Sequence, residues 1–334
     1  MQNSTHILSC DWGTSSFRLR LIDTISLRCI AEIVSDTGNA VLFRKWKDQS
    51  SVDRLHFYLQ YLKESVDSLS ASSSMPLDEL CILISGMASS SVGMKELPYA
   101  DLPFSLDGHS AYFEWINGKP VITNPILLIS GVQHPGDVMR GEETQLAGVS
   151  SLINAANDGE SIYIFPGTHS KHITVSNNRI TQFSTWMTGE VFELLVKQSI
   201  LSHAVTIPDN NFHTDDMIAS FLKGVMKAFQ SPLLNNLFSA RINQLKKYLS
   251  NNENYFYLSG LLIGSEIAYL RSEKNQQLVL CSSGNLQVLY CKALECAGLS
   301  DDTIVVNAEL LDNAAATGQL KIFMNMASRT MQIS

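Results

Sequence analysis

Two segments of this chain bring together residue types that bind phosphate. The first, ILSCDWGTSSFRLRLID at residues 7–23, sets the turn DWGTSS between an apolar strand and an alternating one. The second, YIFPGTHSKHITV at 163–175, repeats that core about half a chain later, placing Gly13 over Gly167, Thr14 over Thr168 and Ser16 over Ser170. A glycine lets the main chain approach a ligand closely, and successive turn amides with small hydroxyls can surround phosphate oxygens. Gly13, Thr14 and Ser15, then Gly167, Thr168 and His169, are therefore candidate phosphate contacts. Asp11 adds a carboxylate beside the first turn. Carboxylate and phosphate repel one another unless a cation stands between them, and Mg²⁺ with its waters suits that place. Taken alone, DWGTSS reads about as well as an Asx turn. The second Gly-Thr hairpin favours the phosphate reading.

Other polar groups sit at helix starts and turns. Gly141-Glu142-Glu143-Thr144 precedes Leu146, Val149 and Ile153, so both glutamates open a helix, where the dipole alone favours them. Thr188 is a candidate N-cap with Glu190 in the first turn behind it. Ser283, Gly284 and Asn285 form a tight turn between a strand and a helix and are candidates to receive an adenosine. His169 and His172, three apart on a strand, would point to opposite faces and so make no metal pair.

Regular elements must hold these groups. Residues 29–42 supply a third strand after the first hairpin, and Val52, Leu55, Leu59, Leu62, Val66 and Leu69 keep helical spacing. The apolar strand LCILIS runs into a glycine- and serine-rich loop at 86–103, a usual place for ligand contacts in α/β proteins. Two strands follow within 111–130, and helices are expected at 215–230, 233–249 and 255–271, the last with Gly260 and Gly264 for close packing. A final strand–turn–helix–strand–helix series completes the chain. At 334 residues two domains are expected, 1–150 and 151–334.

Composition narrows the partners. The chain is 45% hydrophobic and 17% charged with a net charge of −8, which disfavours a nucleic-acid or anionic-membrane surface and favours a small-molecule partner. No apolar run reaches the roughly 18–20 residues that span a bilayer, and the first residues lack a signal-peptide pattern, so a cytoplasmic setting is expected. The six cysteines contain no Cys-x-x-Cys pair and read as reduced packing residues. Self-association as a homodimer stays open.

Two phosphate hairpins, an acidic helix start and a late glycine turn resemble the sugar kinase, Hsp70 and actin superfamily. Within it, DWGTSSFR, SGMASSSVG, LPYADLP, VMRGEETQLAG, PGTHSK, MTGE and LSGLLIGSE closely resemble the 2-dehydro-3-deoxygalactonokinases, nearly end to end. Arg20 departs from the family's usual aromatic, and SSGN from its usual small-residue turn. The resemblance implies an α/β, two-domain actin-like ATPase (ribonuclease H-like) fold with an interdomain nucleotide cleft. It also implies transfer of the ATP γ-phosphoryl to the 6-hydroxyl of 2-dehydro-3-deoxy-D-galactonate with Mg²⁺, in galactonate catabolism. By analogy with related sugar kinases Glu142 is the expected base, with Glu143 its rival. The substrate carboxylate calls for a cationic fork, for which Arg140 leads and Arg18 and Lys171 follow. Met87 and Ser90 are placed on the sugar-acid side. A kinase for another sugar acid, such as the gluconate-derived epimer, and an ATP-driven switch protein are the competing readings.

Overall fold

The computed structural model describes residues 5–49, 51–153, 159–208, 214–273 and 276–332. In chain order its elements are β1 (His6–Trp12), β2 (Phe17–Asp23), β3 (Cys29–Ser35), α1 (Asn39–Lys47), α2 (Arg54–Ser73), β4 (Ile82–Gly86), β5 (Ala100–Asp101), β6 (Phe104–Ser105), β7 (Phe113–Ile116), β8 (Ile126–Ile129), β9 (Val132–His134), β10 (Asp137–Met139) and α3 (Glu142–Leu152). Then come β11 (Ser161–Phe165), β12 (Ser170–Ser176), β13 (Arg179–Trp186), α4 (Thr188–Gln198), α5 (Asp215–Ala228), α6 (Leu233–Leu245), α7 (Asn251–Ile267), β14 (Gln277–Leu280), α8 (Gly284–Ala297), β15 (Thr303–Val305) and α9 (Ala308–Gln332).

These elements form two compact units, Met1–Asp158 with Ser176–Gln182 and Glu309–Ser334, and Gly159–Val175 with Phe183–Ala308. The expected division at residue 150 needs correction, because α9 belongs to the first unit from Glu309 onward. Residues 154–158, just past the expected division, lie outside the described residues.

Strand alternation builds the first unit. Leu8, Cys10 and Trp12 of β1 face a core shared with Leu59, Leu62 and Val66 of α2, while Ile7 faces a second core with Ala316, Leu320 and Ile322 of α9. β4 divides in the same way, Ile82 and Ile84 against Leu83. Polar residues on the α9 face are satisfied by one side chain. Ser9 Oγ donates to Gln319 Oε1 at 2.7 Å, and Gln319 Nε2 donates to the Cys10 carbonyl at 2.9 Å and to Ser85 Oγ at 2.8 Å. Each such buried group left unpaired would cost about 1–3 kcal/mol, so this one residue makes a polar stripe across the sheet compatible with burial.

The first sheet has the order β3-β2-β1-β4-β8-β7, with β1, β4 and β8 parallel and β2 antiparallel to both neighbours. In the second unit the order is β15-β14-β11-β12-β13, with β11, β14 and β15 parallel and β12 antiparallel to β11. This reproduces β8-β4-β1-β2-β3 strand for strand, so the repeat read from two hairpins extends to five strands. Both units have the ribonuclease H-like order of the actin-like ATPase fold.

Helix starts and contacts follow local chemistry. Asp53 caps α2 through the His56 amide at 3.0 Å. Ser250 and Glu253 form a capping box that begins α7 four residues before the expected 255. A Cβ on Gly224 would lie 2.1 Å from the Tyr257 carbonyl oxygen and one on Gly260 2.0 Å from that of Phe221, so α5 and α7 meet backbone to backbone. Among the described residues no helix is long and apolar enough to cross a membrane.

Candidate active site

The first hairpin is shaped by the residues that start α1. Gly13 N–H donates to the Ser16 carbonyl at 2.9 Å and closes the turn. The amides of Asn39 and Ala40 donate to the carbonyls of Gly13 and Thr14, both at 3.0 Å, and Asn39 Nδ2 reaches the Trp12 and Gly13 carbonyls at 2.9 and 3.0 Å. Gly38 permits this grip, since a Cβ there would lie 2.3 Å from the Thr14 carbonyl oxygen. Thr14 and Ser15 are exposed at the tip, and among the described residues their amides make no hydrogen bond.

The second hairpin repeats the arrangement. Gly167 N–H donates to Ser170 Oγ at 3.3 Å, Glu190 N–H donates to the Thr168 carbonyl at 3.0 Å, and a Cβ on Gly189 would lie 2.5 Å from the Gly167 carbonyl oxygen. Thr168 and His169 are exposed, and their amides are likewise unpaired among the described residues. Each hairpin thus presents two successive free amides. The glycine amides at 13 and 167, expected among the phosphate donors, instead face inward. Thr37-Gly38 and Thr188-Gly189 are the matching clasps, a Thr-Gly repeat visible in the sequence. Thr188 is also not the N-cap of α4; Met187 holds that place and the Thr188 hydroxyl donates to Glu266.

Asp11 is the penultimate residue of β1, beside the first turn. Burial pushes its carboxyl above the usual carboxylate range, against the pull of Arg18, a hydrogen bond from Gln145, and Arg20. With Ser9, Gln145 and Asp312 it lines a polar cavity of about 40 Å³. Arg20, 6% exposed, donates to Glu32 at 2.9 Å and to the Asp312 carboxylate at 2.7 Å, which explains why a strand-face arginine can be buried here. Arg18 Nη1 reaches the same Asp312 at 3.0 Å and stays partly exposed. No group of three or more metal-ligating side chains occurs among the described residues. A single carboxylate fits Mg²⁺ that is carried mainly by phosphates and waters, the usual manner for this ion.

At the start of α3 the two glutamates have different surroundings. Glu143, 1% exposed, accepts from the Gly141 amide at 2.8 Å and from Thr144 Oγ1 at 2.9 Å. Burial first, and the Glu142 carboxylate second, push its carboxyl up to about 8. Its oxygens are spent on the local turn, whereas Glu142 retains access to solvent.

Arg140 corrects a second expectation. Its Nη1 donates to the Ser89 carbonyl and hydroxyl at 2.5 and 2.6 Å, its Nη2 donates to the Leu97 carbonyl at 2.9 Å, and its guanidinium lies 3.9 Å from the Tyr99 ring centroid. The side chain therefore anchors the 86–97 loop and offers no open fork to a carboxylate. Within that loop Met87 begins a short 3₁₀ turn that Ser90 Oγ closes onto the Met87 carbonyl at 2.7 Å.

The second unit holds the remaining expected residues. Lys171 is 6% exposed in β12, which removes it as a surface cation. His169 lies in the turn and not on the strand; it pairs with Glu190, while His172 is buried against Glu266. Gly284 has φ +61°, a conformation that favours glycine, at the first position of α8. Asn285 lines a largely apolar cavity of about 250 Å³ with Gly167, Gly189, Phe192, Tyr255 and Leu289. One cavity therefore joins the second hairpin to the Ser283–Asn285 turn. Ser283 precedes α8 as its N-cap.

The chain is similar to known proteins over most of its length. The chain is 33% identical over 309 residues to a probable 2-dehydro-3-deoxygalactonokinase of Rhizobium meliloti (strain 1021), covering 90% of this chain and 92% of that protein. It is 30% identical over 220 residues to the 2-dehydro-3-deoxygalactonokinase of Escherichia coli (strain K12), covering 65% and 71%. A crystal structure from Sinorhizobium meliloti, described as a candidate 2-dehydro-3-deoxygalactonokinase, superposes with a TM-score of 0.76 at 31% identity, covering 96% of this chain and 99% of the other. A family model for 2-keto-3-deoxy-galactonokinase matches residues 11–321, and the chain belongs to that family.

Proposed function

We propose that this kinase moves the γ-phosphoryl of ATP to the 6-hydroxyl of 2-dehydro-3-deoxy-D-galactonate, with Glu142 as the base. The bond from O6 to phosphorus forms, the bond from phosphorus to the ADP oxygen breaks, and the hydroxyl proton passes to Glu142. The products are ADP and 2-dehydro-3-deoxy-6-phospho-D-galactonate, a step of galactonate catabolism in the cytoplasm. Phosphoryl transfer asks a protein mainly for positioning and charge stabilisation. The amides of Thr14, Ser15, Thr168 and His169 are assigned to phosphate oxygens, and the cavity beside Ser283, Gly284 and Asn285 to adenosine. Asp11 would hold Mg²⁺ through water, and the ion would offset phosphate charge. Met87, Ser90 and Arg18 are assigned to the sugar acid.

The observation that carries this reading is the matched pair of hairpin tips, each with two successive unpaired amides, in a chain of this family. ADP release is measured with ATP and Mg²⁺ against 2-dehydro-3-deoxygalactonate, its gluconate epimer, glucose, glycerol and no acceptor. Turnover with the first alone is expected. Equal use of both epimers would keep the chemistry and widen the substrate, and acceptor-independent hydrolysis would favour the switch reading.

A further inference from the structure

Glu266 lies in α7 with its side chain fully buried, and it accepts hydrogen bonds from three elements. Its Oε1 is 2.9 Å from His172 Nε2 of β12, and its Oε2 accepts from Tyr290 of α8 at 2.8 Å and from the Thr188 hydroxyl at the start of α4. His172 Nδ1 is held in turn by Tyr269 Oη at 2.8 Å, and Trp186 stacks on the Tyr269 ring at 5.6 Å.

Chemistry gives this cluster a direction. The Tyr290 hydroxyl donates to the Glu266 carboxyl oxygen. Burial and the Glu266 charge hold the Tyr290 phenol well above its usual range, which keeps it a donor. Its oxygen, 3.2 Å from Ser170 Oγ, is then left to accept the serine proton, and the serine oxygen accepts from Gly167 N–H at 3.3 Å. The series Gly167, Ser170, Tyr290, Glu266 therefore runs one way and fixes the inward turn of the Gly167 amide. Through Thr188 the same carboxylate seats Gly189 against the hairpin.

We infer that Glu266 is the positioning residue of the second phosphate hairpin. It holds the turn so that the Thr168 and His169 amides stay free for a nucleotide's phosphates. This rests on the proposed nucleotide role of that hairpin and adds the group that sets its shape.

Calorimetry of ADP and adenosine binding tests the inference on the full chain, using Glu266→Gln and Ser170→Ala. Loss of one buried hydrogen-bonded position is expected to weaken ADP about tenfold in each variant. Adenosine, which lacks the phosphates, should stay within about twofold of the wild type, a split that general loosening of the unit would not give. Unchanged ADP affinity in a folded variant overturns the inference, as does equal weakening of both ligands. Ser170→Ala removes one oxygen from the series, lines no part of the cavity, and decides the matter where Glu266→Gln does not fold. Wild-type protein that binds no ADP would instead remove the nucleotide reading itself and this inference with it.

Discussion

Gly148 of α3 and Gly318 of α9 are reciprocal contacts: a Cβ on Gly148 would lie 1.9 Å from the Ala314 carbonyl oxygen, and one on Gly318 1.8 Å from that of Thr144. The two helices meet at their backbones, and this contact fixes the start of α3, where Glu142 stands. Gly148→Ala and Gly318→Ala must each push the helices apart. Overpacking of this kind costs roughly 1–3 kcal/mol. Thermal unfolding should show a lowered midpoint for both variants, together with reduced kcat from the displaced glutamate.

Glu142→Gln keeps the shape of the side chain and removes the proposed proton acceptor. A positioned base contributes about 10²–10⁴-fold, so kcat should fall by that order while ADP affinity stays near the wild-type value. Unchanged turnover would take Glu142 out of the reaction.

Glu143 makes stability depend on pH. An unfolded glutamate titrates near 4.5, and here burial and Glu142 push the folded carboxyl up to about 8. Between those values the unfolded chain has released a proton that the folded chain keeps, so stability falls as pH rises from 4.5 to about 8 and then levels off. The total is on the order of a few kcal/mol at most. Urea unfolding across that window should show the decline, and Glu143→Gln should flatten it.

Arg140→Ala would leave the Leu97 carbonyl without its donor and the Ser89 carbonyl with the Leu97 amide alone. A loss of about 2–4 kcal/mol is expected by urea unfolding, because buried partners of a lost charged donor lose their compensation. Arg140→Lys should rescue little, since one ammonium cannot replace the planar fork. Were Arg140 a substrate fork instead, the lysine variant would lose sugar-acid affinity at unchanged stability.

Much of the fold could be read because it rests on periodicity. β1 and β2 alternate, α2 carries its apolar stripe between Leu55 and Leu69, and the Gly-Thr turns recur. Roles that depend on where a polar side chain ends were less legible. Arg140 stands beside an acidic turn and resembles a substrate fork, yet its guanidinium is spent on carbonyls 43 and 51 residues earlier in the chain. The buried carboxylate at 266 looked like one more helix residue, because its partners at 172, 188 and 290 are distant in sequence. Thr37-Gly38 escaped notice as a counterpart of Thr188-Gly189 because the distances back to Thr14 and Thr168 differ by three residues. Nothing in the periodicity of α9 marks it as returning to the first unit.

The bond between Ser9 and Gln319 spans 310 positions, which bears on the order of events during synthesis. As the chain leaves the ribosome, the sheet face carrying Ser9, Ser85 and the Cys10 carbonyl has no partner until α9 has been made. Every residue of the second unit, Gly159–Val175 and Phe183–Ala308, has been made before that point. The inserted unit can therefore fold while the one containing the N-terminus still waits, reversing the usual N-to-C order of domain folding. A nascent chain halted before residue 309 would carry a finished second unit and an open, apolar first sheet, a substrate for chaperones.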